Sequence, residues 1–600
     1  MLRSPVNLIR NPDFAHGGDL PDAWTGSGNS EQVTFGTSSP GLFGERHATF
    51  SVASNAPPAW RGWRQSVPVA AGRSYLYGAW LACENLSGTA SLHAHLRDRS
   101  NRTGAAGYLS AGPAISGTSS WRPMFAMFTA APDIAELQMH LTMDSQGTLK
   151  HDGTFLAECL EAYVGEPTTT PMKADTLDIW QVDPVVKVFH ETPAPEGRSA
   201  LRAVIALARN EEEPLQLAVR AGRDIPSLRV EVEAPGNACG QTLDDFSVGR
   251  VGYVPVDHRT AYYNTRAPAW ELKFPAGSGS SDGWPGWWPD PIIPSSGGSL
   301  TANRTQAFWL SFRAGLRTPP GVYKGTVKLI SGKRVLKRFP FNVTVWDFNL
   351  PEKPACAAIY DVRLTPHWLA DGRGYAEQYD RIAKFMAGKK VSPDRFRAEM
   401  AFKRGADGKV TCDFTDHDRA AGDSVWFTTD GQMCTDTPYC AVERLLPHYC
   451  FKYGAEAYEF WGVSWFTYDP WRFGWHSYIR QSSTPGESYH VRYPNGDGYL
   501  LYPGLPVGVD GPVTSVRLEA ARDGVEDHAY LTLLKSHAES GADPEAAALL
   551  REFAALLDIP NAGGRYSTKI LPDPSRLAAL RLRAGAALQK RARVMSKVPQ

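Results

Sequence analysis

Residues 453–471 read YGAEAYEFWGVSWFTYDPW and place eight aromatic rings in nineteen positions. An indole face stacks on the C–H face of a pyranose, so Trp461, Trp465 and Trp471 are candidates for a sugar platform. Core packing is the competing reading, above all for Trp461. Glu459 stands among these rings. A carboxyl kept from water there would have a raised pKa, as acid catalysis near neutrality requires. No residue is assigned as catalytic; Glu459 is the candidate acid, and exposure to water on an open sheet face is its other reading. Trp60 and Trp63 in PPAWRGWRQ are a second pair of candidate stacking rings, against a packing role. Asp413, Asp416 and Asp418 in DFTDHD suit turns and helix caps better than a metal. Cys434, Cys440, His448 and Cys450 cluster, but their spacing fits no common zinc site, so no metal is expected.

The chain that must hold these groups has 600 residues, enough for several domains with their own cores. Its 63 basic and 63 acidic residues cancel, which argues against a nucleic-acid or membrane-surface partner. The 55 Gly, 45 Pro and 18 Trp point to turns and β structure. Eight cysteines without a CxxC are too sparse for a disulfide scaffold. No apolar run is long enough to span a membrane, and MLRSPVNLIRNPDF lacks the apolar core of a signal peptide.

Residues 1–167 read as short alternating strands, at 74–83, 90–98, 121–130 and 137–143, separated by Gly, Ser and Pro. After a linker, 176–351 is a second β-rich segment. It contains two strands around the acidic turn of LARNEEEPLQLAVR, a hairpin over 321–351, and a Pro-rich loop, WPGWWPDPIIP, expected to expose three Trp. In 352–514 strands at 357–364, 424–429 and 457–465 alternate with helical patterns at 375–386 and 441–453, which predicts a parallel α/β arrangement. From 515 to 600 the chain reads as helices, two of them opened by Asp543-Pro544 and Asp573-Pro574. The fold class is multidomain, β-rich plus α/β: two β-sandwiches, a partial (β/α) barrel and a C-terminal helical segment.

Two resemblances follow from longer phrases. NLIRNPDFAHGGDLPDAW and GTFLAECLEAYVG resemble the first and last strands of jelly-roll carbohydrate-binding modules. Many such modules hold a structural calcium through acids on those strands; here Glu158 stands where the final-strand Asp is usual, and no cofactor is expected. LARNEEEPLQLAVR, WPDPIIP, FNVTVWDFNLPE, RLLPHYCFKYGAEAYEFWGVSWFTYDPW, NGDGYLLYPG and SVRLEAARDGVEDHAYL resemble glycoside hydrolase family 123 over roughly residues 200–590. The resemblance implies a (β/α)8 barrel and β-N-acetylgalactosaminidase activity by substrate-assisted retention, with a glycan or glycoconjugate as partner. In that scheme an Asp orients the 2-acetamido group and an adjacent Glu protonates the leaving oxygen, an exception to the usual two-carboxylate arrangement. It also implies a secreted or periplasmic location.

The chain departs from the family where the chemistry sits. No Asp-Glu dipeptide occurs in it. The 158 residues of 357–514 fall short of the roughly 200–250 that a full barrel takes. The central strands, including the one that should carry the pair, are expected to be missing. By resemblance Asp497 and Tyr499 lie at the substrate end of the barrel, with an Asx turn the alternative for Asp497. Arg517 is a candidate partner for Asp497 or for a substrate oxygen, or a salt bridge. His367 follows the first barrel strand, where barrel enzymes gather site residues. The reading is a carbohydrate-active protein of glycosidase ancestry, weakly active or inactive; the alternative is a non-catalytic glycan-binding or scaffold protein.

Overall fold

Period-2 alternation places every second side chain of a strand in the core, and in the first sandwich it builds an eight-stranded antiparallel sheet. The computed structural model describes residues 7–28, 31–71, 73–130, 134–159, 164–195, 202–256, 259–260, 282–393, 401–404, 410–413, 426–429, 433–466, 469–474, 477–481, 488–492, 494–541, 543–557 and 566–595. Strand Ser74–Asp98 is its spine, pairing with Thr103–Thr129, Ile134–Met143 and Gly147–Cys159. Along strand Arg61–Pro68 the odd positions are buried. Trp63 is therefore a core residue, fully buried, with its Nε1 donating to the Thr49 carbonyl at 3.1 Å, and is not a stacking ring. Trp60, just before that strand, is 64 % exposed.

The second sandwich is two five-stranded sheets around Leu207, Leu217, Phe308, Phe341 and their neighbours. The acidic phrase is not a turn. Asn210, at φ 62°, makes the turn, and Glu211 to Glu213 begin strand Glu211–Ala221. Glu211 and Glu212 are buried against helices: Arg581 binds Glu211, and Lys389 binds Glu212 at 3.0 Å and Glu519 at 2.8 Å. WPDPIIP is not an exposed loop either. Gly286–Ile293 is the edge strand of its sheet, a position where missing Pro N–H groups cost no ladder bond. Trp288 is fully buried, Trp287 half-buried, and only Trp284 is exposed, at 42 %.

Three short strands, Ala357–Tyr360, Trp426–Thr429 and Ala457–Phe460, form a parallel sheet with the last in the middle. Ser392 bridges Ile359 in parallel on the far side. The order Ser392, first, last, next-to-last is the order found where the two ends of a (β/α) barrel meet. Helices Ala441–Tyr453 and Val516–Gly541 pack on each other beside it. Tyr360, Tyr458 and Phe460 share one continuous core with Trp180, Trp288, Trp309 and Trp346 of the second sandwich. Packing of the parallel sheet on the sandwich, one of the ways an open barrel arc can be shielded, is thus observed.

Candidate functional site

The ends of the first and last parallel strands are joined backbone to backbone. Asp361 N–H donates to the Phe460 carbonyl at 3.2 Å, and Val463 N–H donates to the Asp361 carbonyl at 3.0 Å. Ser464 Oγ accepts from Arg363 N–H and donates to the Arg363 carbonyl, both at 3.0 Å. Trp368 Nε1 caps the Ser464 carbonyl at 2.7 Å. Only residues 457–460 of the expected strand are extended; 461–466 form the strand-end loop instead.

Residues 494–503 lie across that loop, with Trp465 N–H donating to the Gly498 carbonyl at 2.9 Å and Leu500 N–H to the Val463 carbonyl at 2.9 Å. Asp497 is fully buried and accepts from Trp461 Nε1 at 3.2 Å. Trp465 meets Trp461 edge-on at 5.4 Å, and the Arg363 guanidinium sits 5.5 Å over Trp461 while its Nε donates to Asp361 at 2.8 Å. Trp461, Trp465 and the half-exposed Arg363 thus form one accessible patch at the strand ends. Gly498 permits it: at φ +89° an added Cβ would lie 2.5 Å from the Trp461 ring. Gly498→Ala is expected to displace the indole and to cost on the order of 1–3 kcal/mol. Tryptophan emission and a urea melt check this.

The remaining candidates divide. Trp471 is half-buried, donates from Nε1 to the Pro503 carbonyl at 2.9 Å, and packs on Tyr502 at 5.0 Å. Tyr499 is buried beneath Phe466 and Tyr502, and burial pushes its hydroxyl well above the usual range. Arg517 pairs not with Asp497 but with Asp290 of the second sandwich, through Nε and Nη2 at 2.8 Å each. Its Nη1 donates to the Met433 and Gly496 carbonyls, at 2.9 and 2.8 Å, and it is fully buried, so it has no face toward a substrate. His367 lines a neighbouring cleft of about 360 Å³ with Asp371, Arg373 and Leu505, and burial pushes it down to about 4. Glu459 lies in mid-strand, in register between Ile359 and Thr428, and not at the strand ends.

Cys434, Cys440 and Cys450 are buried thiols, and His448 bonds Asp527 at 3.1 Å. Asp416 and Asp418 lie outside the described residues, and Asp413 is described only as the end of strand Val410–Asp413. Glu158 pairs with Arg73 at 3.4 Å. Two acids escaped the sequence reading. Asp361 directly follows the first strand, the signal that could have found it. Asp469, in the aromatic loop, accepts from Trp471 N–H at 3.0 Å, and burial pushes its carboxyl up.

Residues 436–534, which include Trp461, Trp465 and Asp497 but not Arg363, match the family model of the glycoside hydrolase 123 catalytic domain. That match relates the chain to glycoside hydrolases, as a carbohydrate-active protein. Among solved structures it is similar to a family 123 glycoside hydrolase from Clostridium perfringens, described for glycolipid glycan hydrolysis, at 9% identity and TM-score 0.48. That match covers 70% of this chain and 99% of the other. It is also similar to the CBM22-1 xylan-binding domain from Paenibacillus barcinonensis, at 15% identity and TM-score 0.20, covering 24% of this chain and 90% of that one. A third similarity is to a carbohydrate-binding module of family 61 in complex with β-1,4-galactotriose, at 16% identity and TM-score 0.20, covering 26% and 99%. Comparison with curated proteins finds none that matches.

Proposed function

We propose that this protein binds glycans ending in β-linked N-acetylhexosamine at the Trp461–Trp465–Arg363 patch, and that it hydrolyses them weakly or not at all. The first sandwich, through Trp60, adds a second carbohydrate contact. One observation carries the reading. The family segment keeps an aromatic patch oriented by a buried Asp497, while the chain has no Asp-Glu pair to work above it. Substrate-assisted hydrolysis needs one group to polarise the acetamide and a second to protonate the leaving oxygen. The patch supplies stacking and a cation, which bind without doing either.

The test is a chromogenic β-N-acetylgalactosaminide incubated with the full chain, run beside calorimetric titration with N-acetylgalactosamine-terminated oligosaccharides. Binding is expected, with turnover near the buffer background. Trp461→Ala should weaken binding at least tenfold, equivalent to about 1.4 kcal/mol. Turnover that Glu459→Gln abolishes would replace this reading with that of an enzyme using a rebuilt acid. Absence of binding by the parent protein would remove the patch as a sugar site.

A further inference from the structure

The outer face of the first sandwich carries a second, chemically distinct constellation. Arg64, His140, His93 and Ser110 stand side by side on four neighbouring strands. Gln138, His95 and Tyr108 form the adjacent row. The alternation that buries Leu92, Leu96, Met139 and Leu141 turns these polar residues outward together. His93, His95, Tyr108, Ser110 and His140 line a cleft of about 620 Å³ with Trp60 on its wall. Trp60 and Tyr108 are 64 % and 66 % exposed. Trp60 meets His93 edge-on at 5.0 Å, Tyr108 meets His95 edge-on at 4.7 Å, and the His95 and His140 rings are 4.1 Å apart.

The charge around this cleft is one-sided. Among the described residues that line it there is no Asp or Glu, whereas Arg61 is one of them. Arg97 donates to His95 Nδ1 at 3.3 Å, and Arg64 is directly across from His140. The facing acids stand outside the lining: Glu136, in register with Arg97, and Asp144, within electrostatic reach of His93. Burial, then the neighbouring imidazoles and guanidiniums, hold His140 neutral, down to about 3; burial likewise lowers His93 and His95. Three neutral imidazoles crowded beside guanidiniums form a surface that lacks an anion. Ser91 Oγ and Ser110 Oγ bond the two ring nitrogens of His93, at 2.5 and 2.8 Å, and His140 Nε2 donates to Gln138 Oε1 at 3.0 Å, which leaves His140 Nδ1 as its proton-accepting nitrogen.

The geometry points to an acidic glycan as the ligand of this cleft: a sugar chain that stacks on Trp60 and Tyr108 and sets a carboxylate or sulfate over the three histidines. This rests on the reading that the first sandwich binds carbohydrate, and it specifies which kind. A negative group there offsets the repulsion that a protonated imidazole would meet from the neighbouring guanidiniums, and so lets an imidazole take up a proton as it binds. Affinity therefore rises as pH falls. An uncharged sugar has no such coupling, so its affinity is flat over the same pH range.

The test is calorimetric titration of the full chain at constant ionic strength and pH 7.5, 6.5 and 5.5. The probes are an oligogalacturonate, a sulfated galactan oligosaccharide and an uncharged galactan oligosaccharide. At least one acidic probe is expected to bind tenfold or more tightly than the uncharged one, severalfold more tightly at pH 5.5 than at 7.5. The preferred acidic probe tells carboxylate from sulfate. Trp60→Ala and Tyr108→Ala change exposed side chains, and each should cost at least tenfold; His140→Gln should flatten the pH slope. Equal or tighter binding of the uncharged oligosaccharide overturns the acidic specificity while leaving carbohydrate binding intact. Binding of acidic probes that neither Trp60→Ala nor Tyr108→Ala weakens means diffuse charge attraction, and it overturns the site. Binding of no probe overturns the carbohydrate reading of the sandwich itself.

Discussion

Arg517→Met should lower the urea midpoint of the full chain sharply, with a loss of about 3–5 kcal/mol. The guanidinium has no exposed surface, and Asp290, its bidentate partner, has none either. Removing the cation leaves a carboxylate deep in protein with Tyr502 Oη, donating at 2.5 Å, as its remaining side-chain donor among the described residues. An uncompensated buried charge costs far more than the net worth of the pair that held it. Against a typical net stability of about 5–15 kcal/mol, the loss is a large share. Local effects should accompany it, because the same side chain ties the Met433 and Gly496 carbonyls. Those carbonyls lie in the segment after the parallel strand Trp426–Thr429 and in the loop that positions Asp497. Asp290→Asn combined with Arg517→Met removes both charges and should recover part of the loss, since a neutral pair is cheaper to bury. An unchanged midpoint in the single variant would show that the pair is not the joint between sandwich and parallel sheet.

That joint marks what the amino-acid order could and could not reveal. Alternation is a local signal, so the strands of 74–98 and the hairpin of 321–351 were readable from their own residues. So was the Asp543 cap, which accepts from the N–H groups of Glu545 and Ala546. The partial barrel was readable through the spacing of family phrases and a residue shortfall, and three parallel strands with one bridging residue are what the described residues show. Arg517 and Asp290 are 227 positions apart, and no local pattern links them. The Pro residues of Gly286–Ile293 read as a loop because the rule against Pro in strands spares an edge strand, and edge position is set by the fold. Trp63 failed as a ligand candidate because its phase on Arg61–Pro68, not its type, decides which way it points. The histidines were the converse case. His93 and His95 were in an expected strand and shared a face, but only the register with His140 makes them a cluster.

The second large effect is a pH dependence centred on Glu443. This residue is in the first turn of helix Ala441–Tyr453, is buried, and its Oε1 accepts no hydrogen bond from the described residues. Burial pushes its carboxyl up to about 7, against a smaller opposing pull from Lys187; Arg517 also pulls it down and Asp290 pushes it up. The folded chain therefore holds a proton that the unfolded chain releases above about 4.5. Between those two values the native state binds more protons than the unfolded one, so stability falls as pH rises. The gap between about 4.5 and about 7 corresponds to a penalty on the order of 3 kcal/mol, complete above pH 7. Glu443→Gln keeps the shape and cannot ionise. The variant and the parent should be close in stability at pH 5, and the variant should be the more stable at pH 8 by an amount approaching that penalty. Other buried acids with raised values, such as Glu211 and Asp523, are common to both proteins and cancel in the difference. Urea melts of the two proteins at pH 5, 6, 7 and 8 measure that difference directly. Parallel curves would mean that Lys187 and its neighbours keep Glu443 ionised in the folded chain, and the penalty would then be absent.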